Sequence, residues 1–234
     1  MEMKGFESNP MKDTGDYIEL DAFKLLLSRC TNDLERVFLI ILWKTGRRVS
    51  EIVGGLVTRK NYIKVDGKWK WDGTLLHPYC EGLCPKHIDY PNQQIHFWIL
   101  KKVSKADPMF ILKEPDPVDK ELLVVLEEYI KAEKIEPNDR VIPRTRRWGN
   151  TLLKRLSEES GVRTFSGRNL HNHAFRHSWN IKASRTEGPK GDLEYQRKLM
   201  HHSSILTTMS YLKFAQGREK ELVDKMGNEL EGSV

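Results

Sequence analysis

The chain has 234 residues, a formal net charge of +6 and a pI of about 9.1. Hydrophobic residues make up 38%, which allows a sizeable core and excludes wholesale disorder. No apolar run approaches the roughly 20 residues that cross a bilayer, and the N-terminus has no apolar secretory core. We therefore expect a cytoplasmic protein without a membrane segment, and the positive charge favours a polyanionic partner.

The first half of the chain begins with helical patterns. Residues 1–16 are polar and predict a flexible leader. From Tyr17 to Cys30, apolar residues recur at spacings of three and four, which predicts an amphipathic helix. The next segment, residues 34–44, is apolar on nearly every side and predicts a central helix that Gly46 ends.

The rest of the chain predicts a small sheet followed by more helices. Segments 62–65, 95–100 and 109–112 are typical of strands of one sheet, with an elaborated loop between the first two. Further helical patterns continue from about residue 122 to a charged segment near 218–230. The expected fold class is α+β, mostly helical, with a small antiparallel β-sheet. We expect one domain over 17–216 with an insertion at about 66–94, and a tail at 217–234.

Three short motifs occur in a fixed order. Residues 45–51 read TGRRVSE, residues 173–177 read HAFRH, and residues 202–211 read HSSILTTMSY. Together they resemble the boxes of the tyrosine recombinase (phage integrase) family, T-G-x-R-x-S-E, H-x-x-R-H and H-S-S-I-x-T-T-x-x-Y. The resemblance extends from about Tyr17 to about Met226 and implies the catalytic-domain fold of that family.

The resemblance also implies which residues act on DNA. Tyr211 is the nucleophile that forms a 3′-phosphotyrosine, and Arg48 and Arg176 hold the charged non-bridging oxygens of the phosphate with permanent, paired donors. His202 adds a hydrogen bond to the same oxygens, and His173 is placed to take the phenolic proton. The phosphotyrosine preserves the energy of the broken bond, so no catalytic cofactor is expected.

A lysine in the turn of the small sheet protonates the leaving 5′-oxygen in this family. The strand that ends at Leu100 runs into residues 101–105, and counting from the strand end favours Lys102. Lys101 and Lys105 stay open, because the usual glycines of that turn are missing. Two other departures concern the boxes themselves. Arg47 stands where leucine is common, which we expect to be harmless, and His201 replaces the usual glycine before His202.

A second cluster lies inside the expected insertion. His77, Cys80, Cys84 and His87 offer two imidazoles and two thiols over eleven residues, and these groups could bind one zinc ion tetrahedrally. The spacing is not that of a common zinc finger. A loop with free thiols is therefore the alternative to a structural zinc.

The expected partner is double-stranded DNA, with self-assembly into a tetramer on it. Family members usually carry a separate core-binding domain before the catalytic domain, and we expect none here because about 16 residues precede the pattern. Two other functions stay open. One is a catalytically inert or regulatory DNA-binding relative, and the other is relaxation of supercoils in the manner of a type IB topoisomerase.

Overall fold

The computed structural model describes residues 16–103, 111–185 and 193–200. In these ranges the secondary structure is mostly helical, with short antiparallel strands grouped in the middle of the chain. The helices are α1 (Leu20–Ser28), α2 (Asp33–Thr45), α3 (Val49–Val53), α4 (Lys120–Ala132), α5 (Arg146–Ser160), α6 (Asn172–Ser184) and α7 (Leu193–Leu199). The strands are β1 (Gly55–Leu56), β2 (Arg59–Val65), β3 (Lys68–Leu76), β4 (Tyr79–Cys80), β5 (Ile88–Asp89), β6 (Gln94–Val103) and β7 (Ile111–Pro117).

Side-chain caps begin three of the helices. The Asn32 side chain accepts a hydrogen bond from the Glu35 N–H at 3.0 Å, and Asp119 and Thr145 cap α4 and α5 in the same way. The left-handed Gly46, at φ +59°, ends α2. The cap and stop residues therefore set the helix boundaries that the periodicity predicted only roughly.

The strands form separate small sheets, and this corrects the expectation of one sheet. β6 pairs with both β5 and β7, and that sheet contains the expected strand at 95–100. The expected strand at 62–65 belongs instead to β2, which pairs only with β3 among the described strands. The expected loop between them in fact holds β3, β4, β5 and the short 3-10 helix Pro85–His87. Its alternation of charged and aromatic residues hid the hairpin from a hydrophobic pattern.

The core is built around α2. This helix packs against α4 and α6, and Phe38, Leu39, Ile41 and Leu42 are fully buried, as the all-round apolar pattern predicted. Trp43 stacks on Phe23 of α1 with ring centroids 4.4 Å apart. Each large apolar side chain buried here stabilises the fold by about 1.5–3 kcal/mol, so α2 fixes the position of everything that follows Gly46.

Within the described ranges, the helices are too short or too polar to cross a bilayer.

Candidate active site

A cleft of about 590 Å³ lies where the ends of several elements meet. Its walls come from the start of α3, β1 and the turn after it, the end of β6, and the starts of α5 and α6. Four arginines and two histidines line it, and the described lining residues include no carboxylate. The charged and ring-bearing residues of the lining are Arg47, Arg48, Arg146, Arg176, His171 and His173. A cavity of this composition suits an anionic ligand.

Arg48 is fixed in the cleft by a buried carboxylate. It immediately precedes α3, and the Glu51 side chain, one turn later, is fully buried. One oxygen of Glu51 accepts from the Arg48 backbone N–H at 3.0 Å, and the other accepts from its Nη1 at 2.8 Å. The two bonds hold backbone and guanidinium together, which explains physically why a glutamate follows the arginine by three residues in the first box.

Arg176 binds the backbone at two places that are distant from it in sequence. It lies on α6, is 4% exposed, and donates from Nη1 to the Gly46 carbonyl at 3.1 Å. Its Nη2 donates to the carbonyl of Met200. Because Gly46 precedes the first box's Arg48 and Met200 precedes the third box, one side chain of the second box binds the backbone beside both of the others.

Gly46 satisfies two demands at once. Its φ of +59° is in the left-handed region, and a Cβ built there would lie 2.8 Å from Cβ of Trp179 and 2.6 Å from Cε of Met200. Trp179 in turn donates from its indole nitrogen to the Lys44 carbonyl at 3.0 Å. A side chain at position 46 would therefore push apart the helices that carry Arg48 and Arg176.

Arg47, at the position where leucine is common in the first box, is buried beside the cleft. Its side chain is only 2% exposed and forms an ion pair with Asp116 of β7. The guanidinium carbon lies 5.1 Å from the centroid of the Phe97 ring, and Nη2 donates to the Leu199 carbonyl at 3.2 Å. Burial lowers the pKa of Arg47 to about 10, so the group stays protonated at neutral pH. The surroundings of Arg47 are therefore adapted to a charged side chain, because they include the Asp116 carboxylate.

Comparisons with known proteins were made for both sequence and structure. No known protein family and no curated protein matches the sequence. Solved structures do match. The crystal structure of XerA recombinase superposes with a TM-score of 0.60 at 15% identity, covering 90% of this chain. The fold is that of a tyrosine recombinase.

Two further structures have this fold. They are XerH site-specific recombinase bound to palindromic difH substrate in a post-cleavage complex, with a TM-score of 0.57, and the same recombinase bound to difH in a pre-cleavage complex, with a TM-score of 0.51. Each is 16% identical and matches 90% and 89% of this chain, respectively. This chain spans 64% of the XerA chain and 53% of each XerH chain. The match confirms the predicted fold class.

Of the six catalytic residues implied by the tyrosine recombinase resemblance, three line the cleft. Arg48 and Arg176 are described above, and His173 lies one turn before Arg176 on α6, exposed, with its ring 6.3 Å from that of His177. His202 and Tyr211 lie outside the described residues, as does Lys105.

The predicted lysine lies on a strand that reaches the cleft. β6 continues to Val103, and Leu100 of this strand lines the cleft. Lys101 and Lys102 follow Leu100 on the same strand, and only their backbone is described. The choice between them therefore stays a prediction.

The motifs did not predict every residue of the cleft. Arg146 and Asn150 at the start of α5, and His171 and Asn172 at the start of α6, also line it. His171 lies just outside the second box, and its Nε2 is 3.3 Å from a carboxylate oxygen of Asp16. Arg146 had no motif to mark it, because α5 reaches the cleft only through tertiary packing.

The structure brings together two of the four predicted zinc ligands. Ligand atoms of Cys84 and His87 lie within 4.8 Å of each other and of Glu81, a group that could hold a metal ion. Glu81 was not predicted. Cys80 instead donates from its thiol to the Ser50 carbonyl at 3.5 Å, and His77 is exposed, with Nδ1 3.4 Å from the Thr58 hydroxyl.

His87 has a defined hydrogen-bonding state in this cluster. Its Nδ1 accepts from the Cys84 backbone N–H at 3.2 Å, which places the proton of the neutral ring on Nε2, 3.3 Å from a Glu81 oxygen. Burial, together with the charge of Lys113, lowers the pKa of His87 to about 4. The ring is therefore neutral at physiological pH, and its Nε2 carries a hydrogen where a metal ligand would need a lone pair.

Proposed function

We propose that the protein is a site-specific DNA recombinase that cuts and rejoins DNA through a 3′-phosphotyrosine on Tyr211. One observation carries the proposal. Arg48 and Arg176, which come from distant parts of the chain, line one cleft together with His173. The recombinase fold supports the same function, because the first two motifs fall on the elements of that fold that meet at this cleft.

The residues divide the reaction among them. The phenolic oxygen of Tyr211 attacks a backbone phosphorus, the bond from phosphorus to the 5′-oxygen breaks, and His173 takes the phenolic proton. The leaving 5′-oxygen takes a proton from Lys102. Arg48, Arg176 and His202 stabilise the charge that builds on the non-bridging oxygens.

Rejoining reverses the same steps on a different partner. A free 5′-hydroxyl attacks the phosphotyrosine, which restores the phosphodiester and releases the phenol. No external energy is needed, because the covalent intermediate holds the bond energy of the broken link. The cleft suits this chemistry, since the Glu51 carboxylate fixes Arg48 before substrate binds, and pre-organised donors cost no reorganisation during the reaction.

Nicked suicide duplexes with a randomised central sequence test the proposal. A nick close to the cleavage site lets the short fragment that carries the new 5′-hydroxyl diffuse away. Rejoining is then prevented, so the covalent complex accumulates and resists SDS. We expect an adduct with the wild-type chain and none with Tyr211→Phe, which still binds DNA. Tyr195→Phe, on α7, is the matched control and should form the adduct normally. Replacing Arg48 or Arg176 with lysine should slow adduct formation about 10²–10³-fold.

The outcomes also separate the alternatives. DNA binding without any adduct would identify a catalytically inert DNA-binding relative. An adduct formed with no sequence preference, together with relaxation of supercoiled plasmid, would identify topoisomerase-like activity. Sequencing the DNA recovered in the adduct distinguishes this result from site-specific recombination.

We also propose that copies of the chain assemble as a tetramer on DNA through the tail at 217–234. The support is the charged, amphipathic pattern of that segment and its resemblance to tails that dock on a neighbouring protomer. Deleting residues 217–234 should leave single-site binding intact and remove the higher-order complexes in a gel-shift experiment. Higher-order complexes that persist without the tail would contradict this part of the proposal.

For the zinc ion, we propose weak binding at Glu81, Cys84 and His87. Binding at Nε2 requires the other tautomer of His87, which loses the hydrogen bond from the Cys84 N–H, and three protein ligands are fewer than a closed structural site uses. We expect a chelator to leave the melting temperature unchanged. One equivalent of zinc retained through chelator treatment would overturn this expectation.

A further inference from the structure

A second feature of the molecule also points to DNA. The hairpin of β2 and β3, residues 59–76, which we call the basic ribbon, starts at the wall of the cleft. Leu56, Val57 and Thr58, which lead into it, line the cleft. The ribbon itself carries four lysines and one arginine against two aspartates, so its basic residues outnumber its acidic ones.

The two faces of the ribbon differ in chemistry. In the antiparallel register Tyr62 lies opposite Trp71, so both project from the same face, and each is about half exposed. Lys60 joins this face, with its ammonium 4.8 Å from the centroid of the Trp71 ring. The opposite face carries Ile63 paired with Lys70. One face therefore presents aromatic rings interleaved with lysine, exposed to solvent.

The acidic residues of the ribbon do not neutralise this face. Asp72 accepts from the Asn61 side chain at 2.7 Å and from the Thr74 backbone N–H at 2.8 Å, so its carboxylate is used within the ribbon. Asp66 lies at the tip, in the left-handed turn that joins the strands. The charge on the aromatic face therefore comes from Lys60 and Lys64, and both side chains are exposed.

We propose that the basic ribbon binds duplex DNA beside the cleft, with its aromatic face toward the nucleic acid. The major groove accepts a two-stranded β-ribbon, and lysines at its borders reach the phosphates. The seven residues of β2 span about 23 Å. That length follows about seven base pairs at roughly 3.4 Å each. The proposal rests on the proposed function, because the ribbon would lengthen the contact that the cleft makes with the same duplex.

The salt dependence of binding tests the proposal, measured with the full chain carrying Tyr211→Phe so that no covalent step contributes. The logarithm of the binding constant falls linearly with the logarithm of the salt concentration, and each lysine that neutralises a phosphate adds about 0.9 to the magnitude of that slope. With a duplex of mixed sequence about 40 base pairs long, Lys60→Gln with Lys64→Gln should lower that slope by about 2. Lys68→Gln with Lys70→Gln, the comparison pair on β3, should lower it by less than about 1.

Two further measurements complete the test. The pair Lys131→Gln and Lys154→Gln removes the same charge from exposed positions on α4 and α5, and it should leave the slope within about 0.5 of the parent. Tyr62→p-benzoylphenylalanine should cross-link to the duplex on irradiation, and the same substitution at Ile63 should cross-link much less. Circular dichroism confirms that every variant is folded.

The possible results distinguish the ribbon from the cleft. Two results would overturn the ribbon proposal and leave the phosphotyrosine chemistry intact. One is an equal salt slope for both ribbon variants and for the variant with Lys131→Gln and Lys154→Gln. The other is equal cross-linking from positions 62 and 63. If the ribbon lysines change the salt slope but the wild-type chain, with Tyr211 present, forms no covalent adduct, DNA binding by the ribbon would be upheld and the recombinase proposal overturned. A change in self-association of the free protein, with no change in slope, would assign the ribbon to a protein interface and overturn DNA binding by it.

Discussion

The buried pair of Arg47 and Asp116 allows a quantitative test of the fold. Both side chains are almost completely buried, at 2% and 10% exposure. In Arg47→Leu the carboxylate stays in the interior without its counter-charge, and removing one member of a buried pair typically costs about 3–5 kcal/mol. For a chain of this size each kcal/mol lowers the melting temperature by about 2–4 °C. The expected loss is therefore roughly 6–20 °C.

The double variant decides whether the ion pair is the cause. Arg47→Leu combined with Asp116→Leu removes both charges and fills the space with apolar atoms, which is often neutral or even stabilising. We expect the double variant to recover most of the stability lost in either single variant, with a coupling energy of at least about 2 kcal/mol. Urea denaturation followed by circular dichroism measures the free energy of unfolding of the wild type, the two single variants and the double variant.

A surface ion pair provides the control for this experiment. Lys131 and Glu127 are 2.6 Å apart on α4 but largely exposed, so Lys131→Ala should cost less than about 1 kcal/mol. If Arg47→Leu proved as mild as this control, position 47 would accept leucine without penalty. The interpretation of the Arg47 guanidinium as a charge that the interior depends on would then be wrong.

Two further predictions concern Gly46 and His87. Gly46→Ala combines a left-handed φ with a Cβ 2.8 Å from Trp179, and we expect it to cost at least about 2 kcal/mol. Gly161→Ala, with a φ of +71° and nothing within 4 Å, should cost only about 1 kcal/mol, and equal losses in urea denaturation would refute the steric argument. Burial lowers the pKa of His87 to about 4, so the unfolded chain takes up this proton first and stability should fall between about pH 6.5 and 4. In a series of melting curves against pH, His87→Asn should flatten this decline and the exposed His77→Asn should not, and identical profiles for both variants would contradict the assignment.

Most of the helical frame could be predicted from local sequence patterns. Periodic apolar residues predicted most of the helices, and the all-round apolar pattern of residues 34–44 predicted the central position of α2 correctly. These features are local, because a helix places residues three and four apart on one face whatever surrounds it. The motifs also named Arg48, His173 and Arg176, since fixed spacings within a motif are local too.

How those helices and strands meet depends on contacts between distant parts of the chain. The sequence predicted one sheet with the strand at 62–65 inside it, and the hairpin register instead made that strand part of the basic ribbon. No local pattern marked the ion pair of Arg47, because its partner Asp116 lies on β7, far along the chain. Likewise, of four candidate zinc ligands close in sequence, only Cys84 and His87 lie near each other, and Glu81 lies beside them. Pairing between strands and between buried charges depends on contacts distant in sequence, so no local pattern records them.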